Sequence, residues 1–187
     1  TFDDVNAISK IAVNTHLAGA AGTVAAAVVT RLLGGKTDIV MMLNGALAGL
    51  VAITAEPLTP SPVLAIAIGA IGSLIMYFGT KFLESKKIDD VVGAIPVHMF
   101  AGIFGTLVVP LSNSGTNFGT QLTGVIAVCV FSFVLSYITF KVLKQTIGLR
   151  ISSQAEKLGT DVAEVGVKAY AIRAVSYTHL RAHETTP

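Results

Sequence analysis

Five long stretches without Asp, Glu, Lys or Arg leave this chain little choice of fold: Ile11–Thr30, Ile39–Ala55, Pro62–Thr80, Val91–Leu111 and Gln121–Phe140. Hydrocarbon offers backbone N–H and C=O groups no partner, so an apolar run of about 20 residues is read as a helix that crosses a membrane. The second stretch is short, at about 17 residues, and is expected to end below the surface or to use Glu56 and Pro57 as its boundary. Barrel strands fit poorly, because the runs are continuous rather than alternating and about twice strand length. None reads as a cleavable signal peptide, since the first is too long and lacks a basic leader. Composition agrees: 52% hydrophobic and 13% charged, with a mean hydropathy of +0.72, where soluble domains carry about 25% charged residues. The expected fold is all-α, a polytopic bundle of about five transmembrane helices.

The charges in the connections set an orientation. Arg31 and Lys36 follow the first stretch, Lys81, Lys86 and Lys87 the third, and Lys141, Lys144 and Arg150 the fifth. All fall on one side, while the other has only Lys10. By the positive-inside rule the N-terminus is expected outside and the C-terminus in the cytoplasm of a multi-pass cell-membrane protein. The net charge of +2 reflects this topology, and no basic stripe points to nucleic acid.

His98 is the residue that most invites a function. It is the one ionisable side chain of Val91–Leu111, and an imidazole at membrane depth is costly unless it lines a cavity or meets a polar partner. Asp89 and Asp90 are natural N-terminal caps. A helix starting there puts His98 roughly 12 Å inside. On such a helix its neighbours are Ala94, Ala101, Gly102 and Gly105, a nearly bare face that leaves room for a passage or for a close neighbouring helix.

Small residues also mark the other stretches. Gly45 and Gly49 form a GxxxG pair, Ala18 and Gly22 a similar one, and Gly69, Gly72 and Ser73 line the third stretch, a pattern that favours close helix packing over contacts between subunits. Asn44 needs a hydrogen-bond partner at depth, and an interhelical bond outweighs a ligand role. Asn14, Thr15 and His16 lie near the outer end of the first stretch, where interfacial water can satisfy them. The single cysteine, Cys129, forms no disulfide within one chain and reads as a packing residue. No Cys/His cluster suggests a metal, and no cofactor is implied.

At this point the residues carry a resemblance. Asn44-Gly45-Ala46-Leu47-Ala48-Gly49-Leu50-Val51-Ala52-Ile53-Thr54-Ala55, then Lys87-Ile88-Asp89-Asp90, Val92 to His98 and Gly102 to Leu107, resemble the ammonium transporter (Amt/Rh) family, as does Gly148-Leu149-Arg150 with the tail Gly159–Glu164. The likeness runs from about Asn14 to Tyr170 and implies spans seven to eleven of an eleven-span fold, a fragment beginning in a loop. It divides the chain into transmembrane helices over 1–144, a cytoplasmic tail over 145–175 and a non-native extension over 176–187. The extension resembles translated sequencing-adapter read-through, and His179 and His183 within it are not expected to bind metal.

The resemblance implies a homotrimer taking up nitrogen as ammonium or ammonia, each subunit with its own narrow apolar pore crossed by two facing histidines. His98 matches the second of these and Ala94 falls at a pore-lining position. Asn44, Gly45, Gly49, Asp89, Asp90, Pro96, Gly102 and Gly105 are expected to be structural. A neutral imidazole offers one donor and one acceptor to a passing ammonia. A dry pore penalises an intact ammonium ion, which favours proton removal or relay. A P-II signalling protein is the implied partner of the cytoplasmic tail.

Three positions depart from the family pattern: Met99 stands where glycine is common, Phe104 where tryptophan is frequent, and the tail lacks the histidine usually found after its glutamate. A channel for another small neutral solute, such as methylamine or carbon dioxide, fits the same residues. An intramembrane hydrolase pairing His98 with Asp89 and Asp90 fits them poorly, because eight or nine helical residues intervene, and no enzyme is expected.

Overall fold

The computed structural model describes residues 1–169, and all their regular structure is helical. The extension over 176–187, with His179 and His183, lies outside the described residues. Two compact units divide the chain, Thr1–Ser132 and the part from Phe133 onward.

In the first unit α1 runs Phe2–Gly34, well beyond the apolar stretch, because Thr1 and Asp4 form a capping box that extends the helix by polar turns. It stops at Gly35, whose φ of 73° is the left-handed conformation that ends helices. Asp38 then caps α2, Ile39–Thr54, by accepting the Met41 N–H at 3.0 Å. Ser61 caps α3, Pro62–Ser85, with proline in the first turn where no backbone donor is needed.

The three helices meet through small residues. A Cβ on Gly22 would strike the Gly45 carbonyl, one on Gly49 the Ala18 carbonyl, and one on Gly69 the backbone of Ala18. Lipid offers no hydrophobic drive to bring helices together, so this close backbone approach and its van der Waals contact do the joining. Ala18, Ala52, Ile53, Ala65 and Ile68 form one buried cluster, against which Leu64, Phe104 and Val108 pack.

The fourth helix differs from the expectation of a start at Asp89. Its regular part, α4, is Ile95–Leu111, built as a π-helical turn Ile95–Phe100, an α-helix Ala101–Val108 and a 3₁₀ turn Val109–Leu111. Gly93 breaks the run with φ 75°, and the segment from Asp89 to Gly93 is a turn rather than a first helical turn. α4 packs on α2 through Gly105, where a Cβ would meet the Ala52 carbonyl, and on α3 through Gly79, which leaves room for the Phe100 ring.

Helix α5, Phe118–Thr146, buries no residue. In the second unit Ser152 caps a short α6, Ser153–Leu158. Arg150 pairs with Glu156 at 2.8 Å, and the Asp161 carboxylate accepts the Ala169 N–H at 2.9 Å. That bond, with one from Val162, holds the Asp161 carboxyl below its ordinary range. Helices α1, α3 and α5 are long and apolar enough to cross a membrane, and α2 and α4 are shorter apolar helices. The chain is a multi-pass, all-helical membrane protein.

Candidate functional site

The approach to His98 is built by one carboxylate. Asp90 sits five residues before the start of α4 and turns back on it: Oδ1 accepts the Ala94 N–H at 2.9 Å and Oδ2 the Ile95 N–H at 2.8 Å. Two orphan donors of a helix N-terminus are thereby satisfied by a negative charge, the favourable sign at that end. Gly93 donates to the Asp90 carbonyl at 3.2 Å and accepts from Val97 at 3.1 Å, closing the turn. Asp89 is exposed and makes no hydrogen bond among the described residues, so only one of the two expected caps does the capping.

His98 therefore lies one turn inside α4, shallower than a start at Asp89 implies. It falls within the π-helical turn, where Ala101 donates to Pro96, five residues back. Single π turns inside α-helices often sit at functional sites. The wider turn splits the small-residue face anticipated around the histidine. Ala94 and His98 are exposed, whereas Ala101 is fully buried among Ala48, Met76 and Val97. Gly105 is pressed on Ala52, and Gly102 touches Val51 at an ordinary distance, with a Cβ there 3.5 Å from Cγ1. Of the two uses the sequence left open, Ala101 and Gly105 serve a neighbouring helix, and Ala94 and His98 face out of the unit beside Met99. The His98 ring has no hydrogen-bond partner among the described residues, and no group of three His, Cys, Asp or Glu that could hold a metal occurs among them.

The remaining residues singled out from the sequence occupy the bundle. Gly45 and Gly49 are buried between α1 and α2, and Pro96 is buried under the π turn against Gly79. Asn44 donates to the Val92 carbonyl at 3.0 Å. Asn14 corrects the expectation of interfacial water: it is fully buried and its amide donates to the carbonyls of Pro57 and Pro60, both at 2.9 Å. His16 is exposed, with Nδ1 2.7 Å from the Ala12 carbonyl.

Sequence reasoning missed the polar ties at the far end of the helices. The Glu56 carboxylate accepts from the Asn113 amide at 2.8 Å and from the N–H groups of Leu58 and Thr59, both at 3.2 Å. Thr59 donates to the Ser112 hydroxyl at 3.0 Å. Partial burial pushes the Glu56 carboxyl up, but the bonds from Asn113, Thr59 and Leu58 outweigh it and leave the pKa below its ordinary value. Nothing in the local pattern joins residues so far apart in the chain. Gly93 was within reach, since Asp-x-x-Gly before an apolar run is a turn signal.

With this geometry in view, comparison with known proteins is decisive. The profile of the Ammonium Transporter Family matches residues 2–170. The chain belongs to that family. The ammonium transporter Amt2 of Archaeoglobus fulgidus is 39% identical over 183 aligned positions, covering 87% of this chain and 39% of that protein. A putative ammonium transporter of a Synechocystis species is 36% identical, covering 88% of this chain and 32% of its own length. Among solved structures, one titled Sensor Amt Protein superposes with a TM-score of 0.78 at 35% identity, over 84% of this chain and 42% of its own. Candida albicans Mep2 superposes at 0.72 with 27% identity, over 84% of this chain and 39% of its own. This family member thus spans about two-fifths of the length of the relatives it matches.

Proposed function

We propose that this chain forms one wall of a narrow pathway that carries ammonium or ammonia across the cell membrane, with His98 and Ala94 lining it. The observation that carries this reading is a histidine exposed on a π turn, one turn inside an apolar helix, in a chain of the ammonium transporter family. In a chain of the relatives' length, further helices would face His98 and complete the passage. The imidazole then gives a passing ammonia a donor and an acceptor where water is excluded. Asp90 serves that pathway only through the backbone it caps, since both its oxygens are engaged by Ala94 and Ile95. That engagement also argues against a hydrolase, and the named relatives are transporters rather than enzymes. The orientation we propose is N-terminus outside and tail in the cytoplasm, the assembly a homotrimer, and the tail the segment that meets a P-II signalling protein. A small neutral solute other than ammonia remains the competing cargo.

The deciding experiment places His98→Ala in a full-length protein carrying this segment, in cells without their own ammonium uptake. Because His98 is exposed and its ring is unbonded, membrane level should hold while methylammonium uptake falls at least about tenfold, as the loss of a proton-handling group does. Uptake equal to the parent at equal membrane level would refute the pathway reading.

A further inference from the structure

The turn that leads to His98 contains a carbonyl that its own helix cannot satisfy. The N–H four residues beyond Val92 belongs to position 96, and Pro96 has none. The neighbouring groups are already committed, with Ala94 and Ile95 donating to Asp90 and Val97 to Gly93. Asn44, half-buried on α2 and 48 residues away in the chain, reaches across and donates to the Val92 oxygen at 3.0 Å. Its approach requires glycine at position 93: a Cβ there would lie 2.9 Å from the Asn44 amide nitrogen, and φ is 75°.

We propose that Asn44 is a positioning residue of the pathway, fixing the height and rotation of His98 by supplying from α2 the donor that Pro96 withholds. The inference rests on the pathway reading given above. Val97 and Pro96 are buried against α2 and α3 and hold the inner side of the π turn. On the outer approach, Asn44 is what joins the turn to a neighbouring helix. Removing its amide frees the turn to seek another donor, and the histidine moves with the backbone it stands on. A displacement of about 1 Å at a reacting or binding group costs up to about a hundredfold in rate.

The test uses the full-length protein carrying this segment, in cells lacking their own ammonium uptake, with flux normalised to inserted protein. Asn44→Leu keeps the size of the side chain and removes the donor. Its expected signature is a fall in Vmax for methylammonium of at least about tenfold with KM within about twofold, together with an altered ratio of ammonium to methylammonium flux. A merely structural defect lowers both fluxes in proportion to the amount of inserted protein and leaves that ratio at the parent value. Such a proportional loss, or a Vmax within about twofold of the parent, overturns the proposal. Should Asn44→Leu fail to insert, Asn44→Ser takes its place, since its side chain is too short to reach Val92 and adds no bulk or apolar surface; the same two outcomes decide. His98→Ala run in parallel separates the readings. If His98→Ala lowers flux at least about tenfold while the Asn44 variants keep Vmax within about twofold of the parent or lose both fluxes only in proportion to inserted protein, the positioning role alone falls, and if His98→Ala is silent the pathway reading falls instead.

Discussion

Gly69 faces the backbone of Ala18 so closely that the three atoms nearest an added Cβ all belong to that residue's main chain. Backbone cannot swing aside as a side chain can, so a substitution there must push α1 and α3 apart. Gly69→Val should destabilise the bundle by roughly 1–3 kcal/mol or more, read as a lower unfolding midpoint in a denaturing-detergent titration of purified protein. Gly34→Ala is the control, because nothing lies within 4 Å of a Cβ at that position. Equal stability of the two variants would show that α1 and α3 do not meet as described. The same crowding explains why Ser73, fully buried beside Gly45, has to be small.

Where helices end, short polar side chains make the connections between elements. Asn14 binds α1 to the α2–α3 connection through the Pro57 and Pro60 carbonyls, and Glu56 binds that connection to Asn113 beyond α4. The Glu56 tie depends on charge. Its folded pKa is depressed, so its contribution is fully present above the ordinary glutamate value of about 4.3 and is lost as the pH falls through the lowered folded value. Hydrogen exchange of the Leu58 and Thr59 amides should therefore speed up, beyond the intrinsic pH trend, as the medium is acidified through the lowered folded value, below the ordinary glutamate range. Glu56→Gln, which still accepts hydrogen bonds but does not titrate in this range, should remove that acid-dependent step. A step that persists in the variant would assign it to another group.

In the first unit the positively charged side chains, Lys10 excepted, gather at one end of the helices. Arg31, Lys36, Lys81, Lys86 and Lys87 lie at the ends of α1 and α3 that share one side, and retention of such charges in the cytoplasm orients a multi-pass protein. In a background lacking Cys129, a cysteine placed at Ser114 should react with an impermeant thiol reagent added outside intact cells, and one placed at Ser85 should not. Labelling at Ser85 with protection at Ser114 would invert the topology, and with it the assignment of the tail to the cytoplasm.

Apolar stretch length alone was enough to settle an all-helical membrane protein, because a backbone in hydrocarbon has few ways to satisfy its hydrogen bonds. The spacing of small residues and a single histidine within an apolar stretch were visible too, because the first marks close helix contact and the second is costly in lipid without a partner. Tertiary structure decided the rest. Nothing near His98 in the chain announces that Ala101 and Gly105 turn toward α2 while Ala94 and His98 do not. The π turn Ile95–Phe100 makes that division, and the Val92 carbonyl in the turn before it is satisfied by Asn44, 48 residues away. Asn14 looked like an interfacial residue because its partners, the carbonyls of Pro57 and Pro60, are 43 and 46 residues distant. Local pattern reports what each segment must bury or bond, and only the packed helices choose which distant group answers.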